Sequence, residues 1–246
     1  MRIYCDGIFD LFHKGHLAHF KKIHALCEPY IYKDTPIVLI VGLISDSVAC
    51  SYKRKPIFNE TQRLAILKSC KYVNEVFITN TLVLDAEFMK HHTIDYVVHA
   101  FNDGDDKSKQ NEFFQVPIKM NKFIEIPYNV GISTTQIINE SNLSSEDVSI
   151  LWSTNELQIA EKTKVLEIGC TSDLALHENY IGIDTSLERV IQHRKKFNNN
   201  TLQFESIYDI FKNKYFDTTI INSDCDETLL TEAKRITKNT IYILKI

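Results

Sequence analysis

No stretch of this 246-residue chain is long and apolar enough to span a bilayer as a helix. A secretory leader is not expected, because Met1 runs directly into strand-like residues 2–5. An excess of basic residues is also missing. The chain has 28 Lys and Arg against 32 Asp and Glu, a formal net charge of −4, so no nucleic-acid partner is expected. The six cysteines, Cys5, Cys27, Cys50, Cys70, Cys170 and Cys225, show no C-x-x-C spacing. That argues against a zinc site held by the protein and against a disulfide framework, and points to reduced thiols in a cytoplasmic chain. What remains is ordinary for a globular protein, with 44% hydrophobic and 24% charged residues.

Strand and helix patterns alternate through the first part. Residues 2–5, 37–42, 75–78, 96–99 and 123–126 read as strands. The run 37–42 is continuously apolar, as a strand buried on both faces should be. Helical patterns cover 16–27, 60–69 and 86–92, and another begins at Thr134. This alternation predicts an α/β fold with a doubly wound parallel sheet. The polar, aperiodic stretch 140–147 marks a boundary, giving a first domain over 1–140, a linker over 141–147 and a second, smaller α/β domain over 148–246. In the second part, 164–168, 180–184, 218–222 and 240–245 read as strands, and 186–196 and 227–237 as helices.

The densest group of chemically active residues is Asp6-Gly7-Ile8-Phe9-Asp10-Leu11-Phe12-His13-Lys14-Gly15-His16, between the first strand and the first helix. Ligands of open parallel sheets bind at the carboxyl ends of strands, where this segment lies. Gly15 allows a close backbone approach, and His16 lies where the helix begins, an end that favours anions. Two imidazoles three positions apart can donate to the same phosphate as it gains charge.

The string His13-x-Gly15-His16 is similar to the H-x-G-H motif of the nucleotidylyltransferase superfamily. The whole segment from Ile3 to His16 resembles the choline-phosphate and ethanolamine-phosphate cytidylyltransferases. Further matches follow in order: the second strand and turn at 39–46, Lys53-Arg54-Lys55-Pro56 before Asn59-Glu60-Thr61-Gln62-Arg63, the strand at 72–76, and Gly131-Ile132-Ser133-Thr134-Thr135. The resemblance covers about residues 1–140. It implies transfer of a nucleotidyl group from CTP to a phosphorylated amino alcohol, phosphocholine or phosphoethanolamine, with release of pyrophosphate. Mg²⁺ entering with CTP and a homodimeric state are expected with it.

By that resemblance His13 and His16 hold the triphosphate near the reacting phosphorus, and Lys53 contacts both phosphates at the transition state, with Lys55 its competitor. Ile8, Phe9, Gly15, Gly131, Ile132, Ser133 and Thr134 line the nucleotide. Arg63 braces the anionic site, and Asp10 positions the motif. Several of these residues also have a plainer reading: a solvated loop for Lys53 to Lys55, a surface ion pair for Arg63, and helix caps for Ser133 and Thr134. Asp6, His99 and Asp103 are the residues assigned to the acceptor. Asp6 either faces a cationic amino alcohol or caps the turn.

The chain departs from the family in three places. Tyr128-Asn129-Val130 stands where the family has R-T-E, Leu82 stands where the choline enzymes have tryptophan, and His99-Ala100-Phe101-Asn102-Asp103 stands for their H-D-D run. An aromatic cage for a quaternary ammonium is therefore not evident, although Phe101 or Tyr128 could supply one face. In the second part, 165–170 followed by 180–184 resembles the opening of class I methyltransferases, matching at Gly169 and Asp184. Thr171 and Asp173 replace the later glycines, so a noncatalytic module is expected. Two other functions compete with cytidylyl transfer: adenylyl transfer within the superfamily, and nucleotide binding without catalysis.

Overall fold

The computed structural model describes residues 1–27, 36–128, 134–135, 164–169, 180–186, 189–190, 201–204, 209–221 and 226–243. These residues form two compact units. The first comprises the described residues of Met1–Asp10, Lys14–Lys68 and Tyr72–Ile132, and the second those of Leu11–His13, Ser69–Lys71 and Ser133–Ile246. The boundary expected at 141–147 lies outside the described residues.

The first unit is built on five parallel strands, β1 (Arg2–Gly7), β2 (Val38–Ile44), β3 (Glu75–Thr79), β4 (Tyr96–His99) and β5 (Phe123–Glu125), in the order β3-β2-β1-β4-β5. This is the doubly wound α/β architecture read from the sequence. β1 sits at the centre, pairing Tyr4 with Ile40 of β2 and with Val97 of β4. Its neighbours on the two sides lead in opposite directions along the order, so the sheet reverses between β1 and β4.

Helices α1 (Lys14–Cys27), α2 (Asp46–Tyr52), α3 (Glu60–Ser69), α4 (Ala86–His91), α5 (Gly104–Gln110) and α6 (Gln115–Lys119) belong to this part of the chain. The core holds Tyr4, Ile40, Leu84, Met89, Val97, Phe101 and Phe114, all buried. Each such side chain gains about 1.5–3 kcal/mol from leaving water. The continuous apolar run of β2 is explained by its pairing on both edges, with β1 and with β3. α2 was not expected. Its residues are poor helix formers, and it depends on Ser45, whose hydroxyl accepts from the Val48 amide at the N-terminus. α5 was also missed: it buries no residue and so shows no apolar period.

The second unit contains β6 (Val165–Ile168), β7 (Tyr180–Asp184), β8 (Thr201–Gln203), β9 (Phe216–Ile221) and β10 (Thr237–Ile243), all parallel, in the order β10-β9-β6-β7-β8. Numbered from its own first strand, this sheet repeats the order of the first. α7 (Glu227–Ile236) precedes β10 and is capped by Asp226, which accepts from the Leu229 amide. Val165, Tyr180 and Ile220 form an apolar cluster on this sheet.

Candidate active site

The turn after β1 carries the histidine motif and bends sharply. Phe9 (φ 51°) and Leu11 (φ 47°) both occupy the left-handed region, a conformation that costs of order 1–3 kcal/mol for a non-glycine residue. Buried anchors hold it. The Phe9 ring packs against Phe20 at 5.3 Å and meets the His16 ring edge-on at 5.4 Å. Gly7 makes room, because a Cβ there would come within 3.0 Å of the Phe9 ring. Asp10, 3% exposed, accepts from the amides of Ile57 (2.9 Å) and Phe58 (3.0 Å) and pairs with Arg54 at 3.0 Å. This carboxylate therefore ties the basic loop 53–58 to the motif, the positioning task expected of it.

Arg63 is completely buried. Its Nε donates to the Phe58 carbonyl at 3.0 Å. Nη1 donates to the carbonyls of Ile8 (2.6 Å) and Ile44 (3.0 Å), and Nη2 to Asp46 Oδ1 (2.5 Å). The nucleotide-side role implied for Arg63 is therefore one of bracing from beneath the turn, not of direct contact. A guanidinium with no exposed surface cannot meet a phosphate, and its donors are committed to the ends of β1 and β2 and the loop before α3. The plainer surface-pair reading also fails. The rest of the Asn59–Arg63 block is structural. Asn59 and Gln62 form a reciprocal capping box on α3, each side chain accepting from the other's amide. Glu60 and Asp46 likewise exchange amide-to-carboxylate bonds at 3.1 and 2.8 Å.

His16 lies in the first turn of α1, a turn with no acidic residue, whereas α2 and α3 begin with Asp46 and Glu60. No acidic side chain within that turn offsets the positive end of the helix dipole. Gly15 is half-buried in the same turn. The carbonyl of Ile8 is taken by Arg63, and Phe9 is buried, so their backbone shapes the turn. Lys53 is the exposed C-cap of α2, with its ammonium 5.5 Å from the Tyr52 ring centre, and Lys55 is exposed as well. In the second unit His13, 6% exposed, has Nε2 3.5 Å from the Thr134 hydroxyl. Gly131, Ile132 and Ser133 lie outside the described residues.

At the reversal point of the first sheet, the ends of β1 and β4 bring Asp6 and His99 together. His99 Nδ1 lies 3.5 Å from Asp6 Oδ1, with the side chains 14% and 6% exposed. The His99 ring is wedged between Phe101 (4.7 Å) and Phe114 (4.5 Å). Asp103 is directed to other work. As N-cap of α5, its Oδ1 accepts from the Asp106 amide at 2.8 Å and its Oδ2 from the Asn102 side chain at 2.9 Å. The cap is thus a structural role for Asp103, one that the sequence reading did not assign it.

His19, one turn along α1 from His16, was not singled out by the sequence. Burial, then the positive fields of His99 and Lys22, push its pKa down to about 4, so its imidazole is neutral at physiological pH. No motif marks it; only its spacing of three from His16 gave a cue. The Tyr52 phenol is also perturbed. Burial comes first, then the Asp6 and Asp106 carboxylates, and together they raise its pKa well above the ordinary value. Tyr128, half exposed, has its pKa raised by burial and by Asp106.

In the second unit Gly169 follows β6 in the left-handed region, at φ 74°. Asp184 ends β7 with no exposed side-chain surface. It accepts two bonds from Arg189, at 2.8 and 2.9 Å, and one from the Ser186 amide at 2.7 Å. Its carboxylate is thus occupied from within the chain. Thr171 and Asp173 lie outside the described residues.

The cytidylyltransferase-like family model matches residues 4–140, more than half of the chain. The choline-phosphate cytidylyltransferase 2 of Arabidopsis thaliana is 36% identical over 139 residues, covering 56% of this chain and 43% of that protein. A probable choline-phosphate cytidylyltransferase of Schizosaccharomyces pombe is 29% identical over 182 residues, covering 68% and 48%. The mouse ethanolamine-phosphate cytidylyltransferase is 30% identical over 171 residues, covering 67% and 40%. The chain thus spans less than half the length of these relatives.

Proposed function

The chain belongs to the cytidylyltransferase-like family, and from that premise we propose that it transfers a cytidylyl group from CTP to a phosphorylated amino alcohol. A phosphate oxygen of the acceptor attacks the α-phosphorus of CTP in line. A new P–O bond forms there while the bond to the bridging oxygen of the β-phosphate breaks, and pyrophosphate leaves with that electron pair. The protein forms no covalent bond; it aligns two anions and offsets the charge that builds between them.

The observation that carries this reading is the meeting of Asp6 and His99 at the sheet's reversal point, beside the turn that leads into α1. Crevices of this kind take ligands in open α/β sheets. His16 and the amides of the first turn of α1 hold the triphosphate, and His13 donates to an oxygen that gains charge. Lys53, on its exposed loop, reaches the reacting phosphates. Ser133 and Thr134 take the outer phosphates. Asp6 receives the cationic end of the acceptor. Asp10 and Arg63 hold the turn and the loop in register without touching substrate.

Magnesium belongs to the proposal as the partner of CTP. Among the described residues no group of three or more His, Cys, Asp or Glu is placed to hold a metal ion, so the ion would ride on phosphate oxygens and water. It would neutralise charge on the departing pyrophosphate. A homodimer is proposed as well, with β10, an edge of the second sheet as described, as its contact. The free thiols of Cys5, Cys50 and Cys70 suit a reducing, cytoplasmic setting. No described helix is long and apolar enough to cross a membrane.

Pyrophosphate release from CTP, ATP, GTP and UTP, each with phosphocholine, phosphoethanolamine and glycerol phosphate, tests the reading. Release confined to CTP with an amino-alcohol phosphate supports it. Preference for ATP would make the chain an adenylyltransferase, and nucleotide binding without release would make it a noncatalytic module.

A further inference from the structure

We propose that the second sheet holds the histidine motif in its working shape, with Phe204 as a positioning residue for His13. The inference rests on the reading of His13 as a donor to the reacting phosphate.

The second unit includes two short segments from early in the chain, Leu11–His13 and Ser69–Lys71. Both are held within it by specific contacts. Phe12 and Phe204 are buried, and their rings pack at 6.3 Å with a tilt of 39°. Phe204 follows β8, which pairs Gln203 with Asp184 of β7. The Phe204 amide donates to the Asp184 carbonyl at 3.1 Å, so the strand register fixes where its ring stands. The second segment is tied more firmly still. Cys70 forms an antiparallel bridge with Phe211. The Lys71 amide donates to the Ile210 carbonyl at 2.8 Å, and the Lys212 amide to that of Ser69 at 3.0 Å. Lys71 also pairs with Asp209. Phe211 is itself seated on the sheet, its ring 5.0 Å from that of Phe216 on β9.

The motif turn needs this support. Phe9 and Leu11 both have left-handed backbones, and strain of that kind persists only where the surroundings over-determine it. Before Leu11 the anchors are Phe20 and His16 on Phe9, and the Ile57 and Phe58 amides on Asp10. After Leu11, Phe12 packs on Phe204, and His13 has the Thr134 hydroxyl 3.5 Å from its Nε2. Phe204 and Thr134 both belong to the second unit. Phe12 and His13 are consecutive, so space opened beside the Phe12 ring lets the backbone that carries the imidazole relax. Misplacing a catalytic group by about 1 Å can cost on the order of 10²-fold in rate. The second sheet therefore contributes to turnover without touching a substrate.

The test uses the full chain, with CTP and phosphoethanolamine. Phe204→Ala should lower kcat for pyrophosphate release by about 10-fold or more, with little change in KM for CTP. Phe204→Leu, which fills most of the space, should lose less, and it replaces the alanine variant if that one does not fold. Circular dichroism gives the folded fraction to which each rate is normalised. In a His13→Ala background the same substitution should change kcat by less than about twofold, because residues acting through one group are not additive. A merely structural role would lower activity equally in both backgrounds. Nitrogen-15 NMR of the histidine rings reads the position directly. The His13 resonances should move in both Phe204 variants while those of His91, exposed on α4, stay in place. An unchanged kcat in Phe204→Ala, equal losses in the two backgrounds, or unmoved His13 resonances would overturn the inference. A parent chain that binds CTP and releases no pyrophosphate would refute the transfer reaction instead, and the His13 resonances would then decide the inference alone.

Discussion

Replacing Arg63 by lysine removes a planar fork that no other side chain reproduces. Arg63 donates to three backbone carbonyls, those of Ile8, Ile44 and Phe58, and to the Asp46 carboxylate. Lysine carries its donors on one shorter-reaching atom and can serve at most about two of these groups at once. Asp46 is 37% exposed and can turn to water, so its loss counts for little. The carbonyls decide the outcome. Leaving one or two of them unpaired costs about 1–3 kcal/mol each, so Arg63→Lys should lower stability by about 3 kcal/mol. Arg63→Ala should cost more, because a cavity is added. Urea unfolding followed by circular dichroism reads the difference. The folded fraction of Arg63→Lys should also turn over more slowly, since the Ile8 carbonyl anchors the motif turn. A variant within about 0.5 kcal/mol of the parent, the range of neutral surface changes, would refute the idea that this side chain organises the site.

Other outcomes follow from the same structure. The Tyr4 hydroxyl is buried with no partner among the described residues, so Tyr4→Phe should be neutral or gain about 1 kcal/mol, whereas Gly42→Ala should disrupt folding because its Cβ would overlap that hydroxyl. A loss above about 1 kcal/mol in Tyr4→Phe, the usual scale of a net hydrogen bond, would mean the hydroxyl has a partner. His13→Ala and His16→Ala should each lower kcat by about 10²-fold or more, and Lys53→Ala should reduce turnover far more than Lys55→Ala. The reverse order for the lysines would shift the phosphate contact by two residues. The Lys164 amide, with help from Lys238, holds the Asp217 carboxyl below its usual pKa of 3.8. The stabilisation is present above that value and is lost as the pH falls below it. Asp217→Asn should therefore flatten the acid limb of a stability-against-pH curve, and an unchanged limb would contradict the assignment.

Much of the fold was legible because parallel strands buried on both faces announce themselves as short apolar runs. The run at 37–42 became β2, and the strands expected from 75, 96 and 123 begin at those residues. Elements whose stability comes from caps were not legible through apolar period. α5 has no buried residue and α2 is seven residues of weak formers. The cues that did exist were local: Asp103 before Gly104-Asp105-Asp106, and Asn59 with Gln62 three positions on. Reading them as caps would have shown the structural role of Asp103 at α5 and of Asn59 and Gln62 at α3. The Asp6–His99 pair was assigned to one ligand only by resemblance, because its members lie 93 positions apart in the sequence and only the strand order brings them together. His19 carries no motif at all.

The proposed reaction is a single in-line displacement at the α-phosphorus of CTP, with no enzyme-bound intermediate. The direct measurement uses CTP carrying sulfur at one configuration of the α-phosphorus, with phosphoethanolamine as acceptor, and determines the configuration at the sulfur-bearing phosphorus of the CDP-ethanolamine product by phosphorus NMR. One displacement inverts that centre, so inversion is the expected result. Retention would require two displacements and a covalent nucleotidyl-protein intermediate, and would contradict it.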